Sequence, residues 1–311
     1  MASLSSKKQD VVVIGGGPAG TACALNLLKT GIKPLIMEKD RFPRYRIGES
    51  LTGEVGKMLR ELGLEDAMND GINPIKHGVT VYGTEGKNAF FVPVNKRNEQ
   101  GQLEKTSTWQ VRRSTFDQML MDIALERGAE LLPWRADEVI VYDDRVCGVR
   151  FRTPNGAVQE IKAEVVVDAS GHKTFLANHG APMGKKNHGG YEKQIAIFSQ
   201  VVDAIRDPGD AGGDTVIFYQ KKNHWAWFIP LDNEVVSIGV VVPAEYFKAQ
   251  KLSKEAFLRQ ELHTLNPKLS ERFPEIKFVD EIRAIPEYSY HIKNFTGKGF
   301  LCVGDSHRFV D

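Results

Sequence analysis

The chain has little cysteine, no surplus of either charge and no long apolar run, and each shortage closes off a class of protein. Cys23, Cys147 and Cys302 are its only cysteines in 311 residues. Their odd number and wide spacing exclude a CxxC redox pair or a zinc site, and they are expected as buried free thiols, with no metal bound. Lys and Arg number 41 against 40 Asp and Glu. The two signs are interspersed, so no strong field attracts nucleic acid or an anionic membrane. No stretch approaches a membrane span, and the polar start MASLSSKKQD runs into an apolar strand without a cleavable signal pattern, so the expected address is the cytoplasm. There is no internal repeat and no low-complexity segment.

What is present is a strand, turn, helix, strand unit at the start. VVVIGGGPAGTACALNLLKT reads as a buried strand over Val11–Ile14, a glycine turn, and a helix from Pro18 that ends before Gly31; PLIMEKD supplies the next strand. Gly15, Gly17 and Gly20 form GxGxxG in this setting. The first permits the turn, the second lets a pyrophosphate approach, and the third allows close helix packing, with Pro18 and Ala19 opening the helix whose N-terminus faces the phosphates. Glu38 follows Gly20 by 18 residues in the sequence, where a carboxylate can accept hydrogen bonds from both ribose hydroxyls of an adenosine, with Lys39 beside it. The acid favours a 2′-hydroxyl over a 2′-phosphate, and the motif alone does not separate NAD from FAD.

Farther on, apolar periodicity predicts a helix over 52–62 and a second one capped by Ser114 and reaching Glu126, with strands within 79–94 and a charged loop, NKRNEQGQLEK, between. Strands EVIVYDD and RVCGVRF turn at Asp143 and Asp144 and return into AEVVVDASG. From Gln194 to Val242 four strands in succession, separated by Gly, Asp and Asn clusters, predict an antiparallel sheet inserted into the first fold. SKEAFLRQELHTL reads as an amphipathic helix, EIKFVDEIRAI as one strand, and KGFLCVGDS as a last strand that returns to the first sheet.

Three later segments resemble known families. CVGDSHR resembles the second FAD motif of glutathione-reductase-like flavoproteins, which implies that Asp305, after Gly304, bonds the ribityl chain. AEVVVDASG, with Asp168, Ala169 and Gly171, resembles their middle motif. FPRYRIGES resembles flavin-dependent halogenases acting on phenols and pyrroles, implying that Arg44, Arg46, Glu49 and Ser50 lie beside the flavin; read without the resemblance, these arginines either neutralise pyrophosphate or are solvated.

HWAWFIP carries Trp225, Trp227, Ile229 and Pro230 and fits the WxWxIP motif of the same halogenases. In a strand both indoles project to one face, where they wall off a cavity or form an aromatic pair in a sheet core. Lys76, in NPIKHGVTVYG, matches the lysine on which halogenases depend; by itself it would read as a solvated surface residue. In a dry tunnel its pKa would fall, and the amine or ammonium could bond hypohalous acid or carry halogen. QVRRSTFDQML resembles a segment whose arginine, here Arg113, opens a helix near the cofactor; it could equally be a surface charge beside the Ser114 cap.

The resemblance thus implies an α/β protein: a glutathione-reductase-like Rossmann FAD-binding domain (1–78, 106–182 and 297–311) with an inserted antiparallel β-sheet substrate domain (79–105 and 183–296). It further implies a halogenase to which a separate flavin reductase transiently delivers reduced FAD, with chloride or bromide as substrate. Hypohalous acid would pass by the tryptophans to Lys76 and then to an electron-rich phenol or pyrrole, free or on a carrier protein. Alternatives are an FAD-dependent hydroxylase or prenyl reductase of the same superfamily, and a non-catalytic flavin-binding fragment. The last draws on the ending GDSHRFVD, where halogenases of this type continue into a Pro-Ile-Phe-Ser loop and a helical region, so a truncated form is expected.

Overall fold

The computed structural model describes residues 8–286 and 289–310, so the polar start and Asp311 lie outside the described residues. Two compact units are distinguished. Among the described residues one comprises 8–46, 114–191 and 289–310, the other 47–113 and 192–286. Residues 47–78 and 106–113 therefore group with the second unit, and 183–191 and 289–296 with the first, a different division from the one expected from the motifs. The reason is strand pairing: Ile75–Lys76 pairs with Thr108–Trp109, and Gly78–Tyr82 joins the large sheet of the second unit.

In the first unit, Gln9–Ile14 lies between Val158–Asp168 and Leu35–Met37, parallel to both, and Glu130–Leu132 extends the parallel run beyond Leu35–Met37. Burial on both faces explains why Val11 to Ile14 are all apolar. The helix Pro18–Lys29 makes the crossover, with Gly17 at its N-cap and Pro18 at N1, where proline's missing N–H costs nothing. Val158–Asp168 has two sets of partners. Its first half continues the antiparallel meander Ala136–Tyr142 and Arg145–Arg152, and its last three residues take Phe300–Cys302 in parallel. The meander turns at Asp143 and Asp144, both left-handed with φ 47° and 56°, a conformation aspartate tolerates. Cys302 is buried, whereas Cys23 and Cys147 are half-buried free thiols and not fully enclosed as expected.

In the second unit, Gln194–Val202, Val236–Pro243, His224–Pro230 and Thr215–Lys221 form successive antiparallel neighbours. The sheet is not wholly antiparallel, because Gly78–Tyr82, entering from a distant part of the chain, pairs in parallel with Thr215–Lys221. Alternation divides the strands between two faces. Val216, Phe218, Ala226, Phe228, Ile238 and Val240 pack with Phe257, Leu258 and Leu262 of the helix Lys254–Thr264. Trp225, Trp227, Ser237 and Gly239 occupy the alternate positions.

Three local expectations differ from the structure. The helix near 114 starts at Arg113, so Ser114 lies within it and is not its cap. The charged loop is a hairpin, Asn95–Arg97 with Leu103–Lys105. EIKFVDEIRAI is two short strands, Lys277–Phe278 and Arg283–Pro286, both on Gln194–Val202.

Candidate active site

The glycine turn of the first unit is shaped by contacts that exclude side chains. A Cβ on Gly20 would stand 1.9 Å from the Gly15 carbonyl oxygen, and one on Gly15, whose φ is +107°, 2.4 Å from that of Ala169. At Gly16, which the motif does not single out, a Cβ would meet the Met121 methyl at 2.4 Å, the movable end of a flexible side chain, and Glu38 Cβ at 3.1 Å. Gly17 differs. Among the described residues nothing approaches its Cβ position more closely than Arg44 Nη2 at 3.7 Å, so the space before the helix N-terminus is open to a ligand. Gly304, left-handed at φ +61°, would bring a Cβ within 2.8 Å of Ala19, so the last glycine turn packs on the same helix start.

Glu38 is buried at the end of its strand. It accepts hydrogen bonds from the Gly16 N–H at 2.8 Å, the Asp40 N–H at 2.8 Å and Arg44 Nη2 at 3.2 Å. A carboxylate offers roughly four acceptor sites, so one ribose hydroxyl fits and a second would displace Arg44. Arg44 also faces Asp117 at 3.5 Å, while Arg46 and Lys39 are exposed partners of Asp40. Asp168 is 0 % exposed. Its oxygens accept the Ser170 and Leu176 N–H groups at 2.9 and 2.8 Å, and burial pushes its pKa up. It therefore holds the loop containing Ala169 and the left-handed Gly171 through these two bonds. Asp305 sits half-exposed on the last turn, 3.6 Å from the His172 ring. An open helix N-terminus, an acid at the ribose position and a half-exposed acid on the Gly304 turn fit the adenosine diphosphate and ribityl parts of FAD.

In the second unit, Lys76 is 6 % exposed, not solvated. Its ammonium donates to Ser50 Oγ at 2.8 Å and to the Leu51 carbonyl at 3.1 Å. Three short segments create this meeting. Residues 108–110 pair with Ile75–Lys76 on one side and bridge to Ser50 on the other, which puts Ser50 and Lys76 about one segment. Ser50 Oγ is 2.8 Å from Thr215 Oγ1, and Gln110 Nε2 donates to that oxygen at 2.9 Å. Asp214, buried, accepts from the His77 and Gly78 N–H groups at 2.6 and 2.9 Å, fixing the chain just after the lysine. Burial lowers the Lys76 pKa to about 8, with Asp214 opposing.

That depression has a measurable sign. A lysine that binds its proton less well when folded leaves the unfolded chain holding more protons between about pH 8 and 10.5, so stability rises with pH across that window; the cost is fully present below it. Relative to Lys76→Met, the wild type is expected to gain on the order of 3 kcal/mol over those pH values in urea unfolding. Parallel stability curves for the two proteins would contradict a buried, perturbed amine.

The Trp225 and Trp227 rings lie side by side on one face, centroids 6.1 Å apart. Gly239 stands opposite Trp227 in the ladder, and a Cβ there would meet the indole at 2.3 Å, so the ring packs against a glycine. Trp227 Nε1 donates to Ser237 Oγ at 3.2 Å. Ile229 and Pro230 continue the strand. Glu49 is 2 % exposed, and burial raises its pKa to about 7 despite Ser237, Gln200, Arg113 and Arg112. Gln200 Nε2 donates to it at 3.3 Å, and Arg113 donates to the Ile47 carbonyl. Within this unit Glu49 and Ser50 are thus held by protein groups. Gln110, Asp214, Thr215, Ser237 and Gly239 escaped sequence reasoning. Only the lone glycine within the apolar run VVSIGVVVP carried a signal.

Comparison with known proteins follows the same lines. The family model described as FAD dependent oxidoreductase matches residues 10–270. The chain is 37% identical over 305 residues to the 1H-pyrrole-2-carbonyl-(peptidyl-carrier protein) brominase of Pseudoalteromonas luteoviolacea, covering 98% of this chain and 72% of that protein. It is 29% identical to the corresponding chlorinase of Pseudomonas fluorescens, covering 99% and 72%. Among solved structures, the flavin-dependent brominase Bmp2 superposes with a TM-score of 0.90 at 36% identity, covering 98% of this chain and 73% of the other. The myxobacterial chondrochloren halogenase CndH gives 0.87 at 28% identity, covering 98% and 70%. No helix among the described residues is long and apolar enough to cross a membrane.

Proposed function

The chain belongs to the flavin-dependent halogenases of the FAD-dependent oxidoreductase family, and from that premise we propose that it halogenates a pyrrole-2-carbonyl group borne by a peptidyl-carrier protein, with Lys76 presenting the halogen. The observation that carries this reading is the buried lysine with two protein acceptors. Ser50 Oγ and the Leu51 carbonyl take two N–H bonds. One valence of the nitrogen remains: a third N–H in the ammonium, a lone pair in the amine. With a pKa of about 8 both forms are populated near neutral pH. The ammonium polarises the oxygen of a hypohalous acid, and the amine's lone pair accepts halogen from it.

Reduced FAD, brought by a separate flavin reductase, supplies with oxygen the two-electron oxidation of bromide or chloride to hypohalous acid. The helix N-terminus at Gly17, Glu38 and Asp305 would hold it. Trp225 and Trp227 keep bulky organic groups away from the oxidant. In the final exchange a pyrrole carbon takes the halogen, and its proton leaves with hydroxide as water. The pyrrole-acting relatives support this substrate, and the test is a competition. With flavin reductase, NADH, oxygen and bromide, the carrier-borne pyrrole-2-carbonyl group is expected to be brominated in preference to free pyrrole-2-carboxylate or a simple phenol. Equal or better turnover of the free phenol would overturn the carrier-borne substrate while leaving halogenation intact.

A further inference from the structure

The Gly-Glu-Ser turn touches both halogenase motifs of the second unit. Ser50 receives the Lys76 ammonium; Glu49, next to it, lies against the network that holds Trp227. Glu49 Oε1 accepts from Gln200 Nε2, whose own carbonyl oxygen is held by Arg112 Nη1 at 3.1 Å, and Arg112 is paired with Asp232. Glu49 Oε2 is buried with no hydrogen bond of ordinary geometry, although the Ser237 hydroxyl is close enough to favour the charged form. Ser237 Oγ is also the acceptor for the Trp227 indole N–H. One hydroxyl therefore faces a carboxyl on one side and the motif tryptophan on the other.

A hydroxyl has one hydrogen to give. When Glu49 is ionised, Ser237 donates to the carboxylate, and its oxygen, polarised by that bond, accepts more strongly from the indole. When Glu49 is protonated, Ser237 no longer donates to a carboxylate, and its oxygen, less polarised, accepts more weakly from the indole. We propose that Glu49 is a positioning residue for Trp227, acting through the Ser237 hydroxyl, so that the packing of the indole over Gly239 follows the ionisation of Glu49. The charged groups facing Glu49 come from one neighbouring segment, Arg112 and Arg113, with Asp232 beyond Arg112; the Gln194–Val202 and Val236–Pro243 strands contribute the neutral Gln200 and Ser237. The titrating element of the network is thus Glu49 itself, near pH 7. In the reaction, which here rests on the halogenase reading, a loosened indole lets hypohalous acid escape before it reaches the aromatic substrate.

The coupling is read without halide or substrate, so it stands or falls apart from that reading. Tryptophan fluorescence of the flavin-loaded protein is followed from pH 5.5 to 8.5 for the wild type, Glu49→Gln, Ser237→Ala, Ser237→Thr and Trp227→Phe. The expected result is a one-proton change with its midpoint near 7 in the wild type, lost in Glu49→Gln, Ser237→Ala and Trp227→Phe, and retained in Ser237→Thr, which keeps a hydroxyl. Near-ultraviolet circular dichroism at pH 8 identifies folded variants, and one folded member of the three is enough to decide. A change that survives in Glu49→Gln or Ser237→Ala overturns the proposal, as does its absence from the wild type.

Discussion

Lys76→Met is expected to lower the rate of aromatic halogenation by roughly 10²–10⁴-fold, the range for losing a positioned proton-transfer group, while oxidation of halide continues. Methionine nearly matches the apolar stem of lysine, so the buried site stays filled while the nitrogen disappears. The loss is chemical because Ser50 Oγ and the Leu51 carbonyl already occupy two N–H bonds, and only the remaining valence can meet a hypohalous acid. Free hypohalous acid, trapped by a reactive diketone, should then rise as halogenated product falls. Lys76→Arg is expected to fail as well, since a guanidinium does not deprotonate and its planar fork does not fit two acceptors placed for an amine. Halogenation retained at half the wild-type rate in Lys76→Met would remove this residue from the mechanism.

The second large effect separates two kinds of glycine. In Gly17→Ala the added methyl meets nothing closer than 3.7 Å, and the residue has the ordinary extended φ of −77°, so the fold should be unaffected. The methyl instead enters the open space before the helix N-terminus. FAD affinity is expected to fall about 10- to 100-fold, or about 1.4–2.8 kcal/mol, with an unchanged thermal midpoint. In Gly20→Ala the methyl lies 1.9 Å from the Gly15 carbonyl oxygen, so helix and turn must separate. Affinity and stability should fall together, the latter by about 1–3 kcal/mol. Isothermal titration with FAD and thermal unfolding of both variants check the distinction. Equal destabilisation by the two substitutions would contradict the assignment of Gly17 to the ligand.

The nucleotide unit was largely legible because its signals are local. Gly15, Gly17, Gly20 and Glu38 fall within one strand, turn, helix, strand unit, and the returning strand Phe300–Cys302 is a short apolar run ending in glycine. What was illegible depends on distant partners. Asp168 reads as a motif acid, yet only the folded chain shows its two oxygens committed to Ser170 and Leu176. Lys76 looks like a surface lysine in sequence because its burial is made by Ser50, Leu51 and the 108–110 segment, too short to announce itself as a strand. Gly78–Tyr82 joins Thr215–Lys221 in parallel across more than a hundred residues, which no periodicity foretells. Glu49 and Ser50 were assigned to the flavin through resemblance; the structure adds the protein groups that hold them.

The central claim is that oxidising power is directed onto halide and delivered to an aromatic carbon. Its most direct test is the mass spectrum of the product formed from reduced FAD, oxygen and the carrier-borne pyrrole, with and without bromide. The account predicts a brominated pyrrole with the bromine isotope doublet, formed only when bromide is present and only when reduced flavin is supplied by a partner reductase. A hydroxylated pyrrole whose yield is indifferent to bromide, or NADPH consumed by this chain alone, would contradict it.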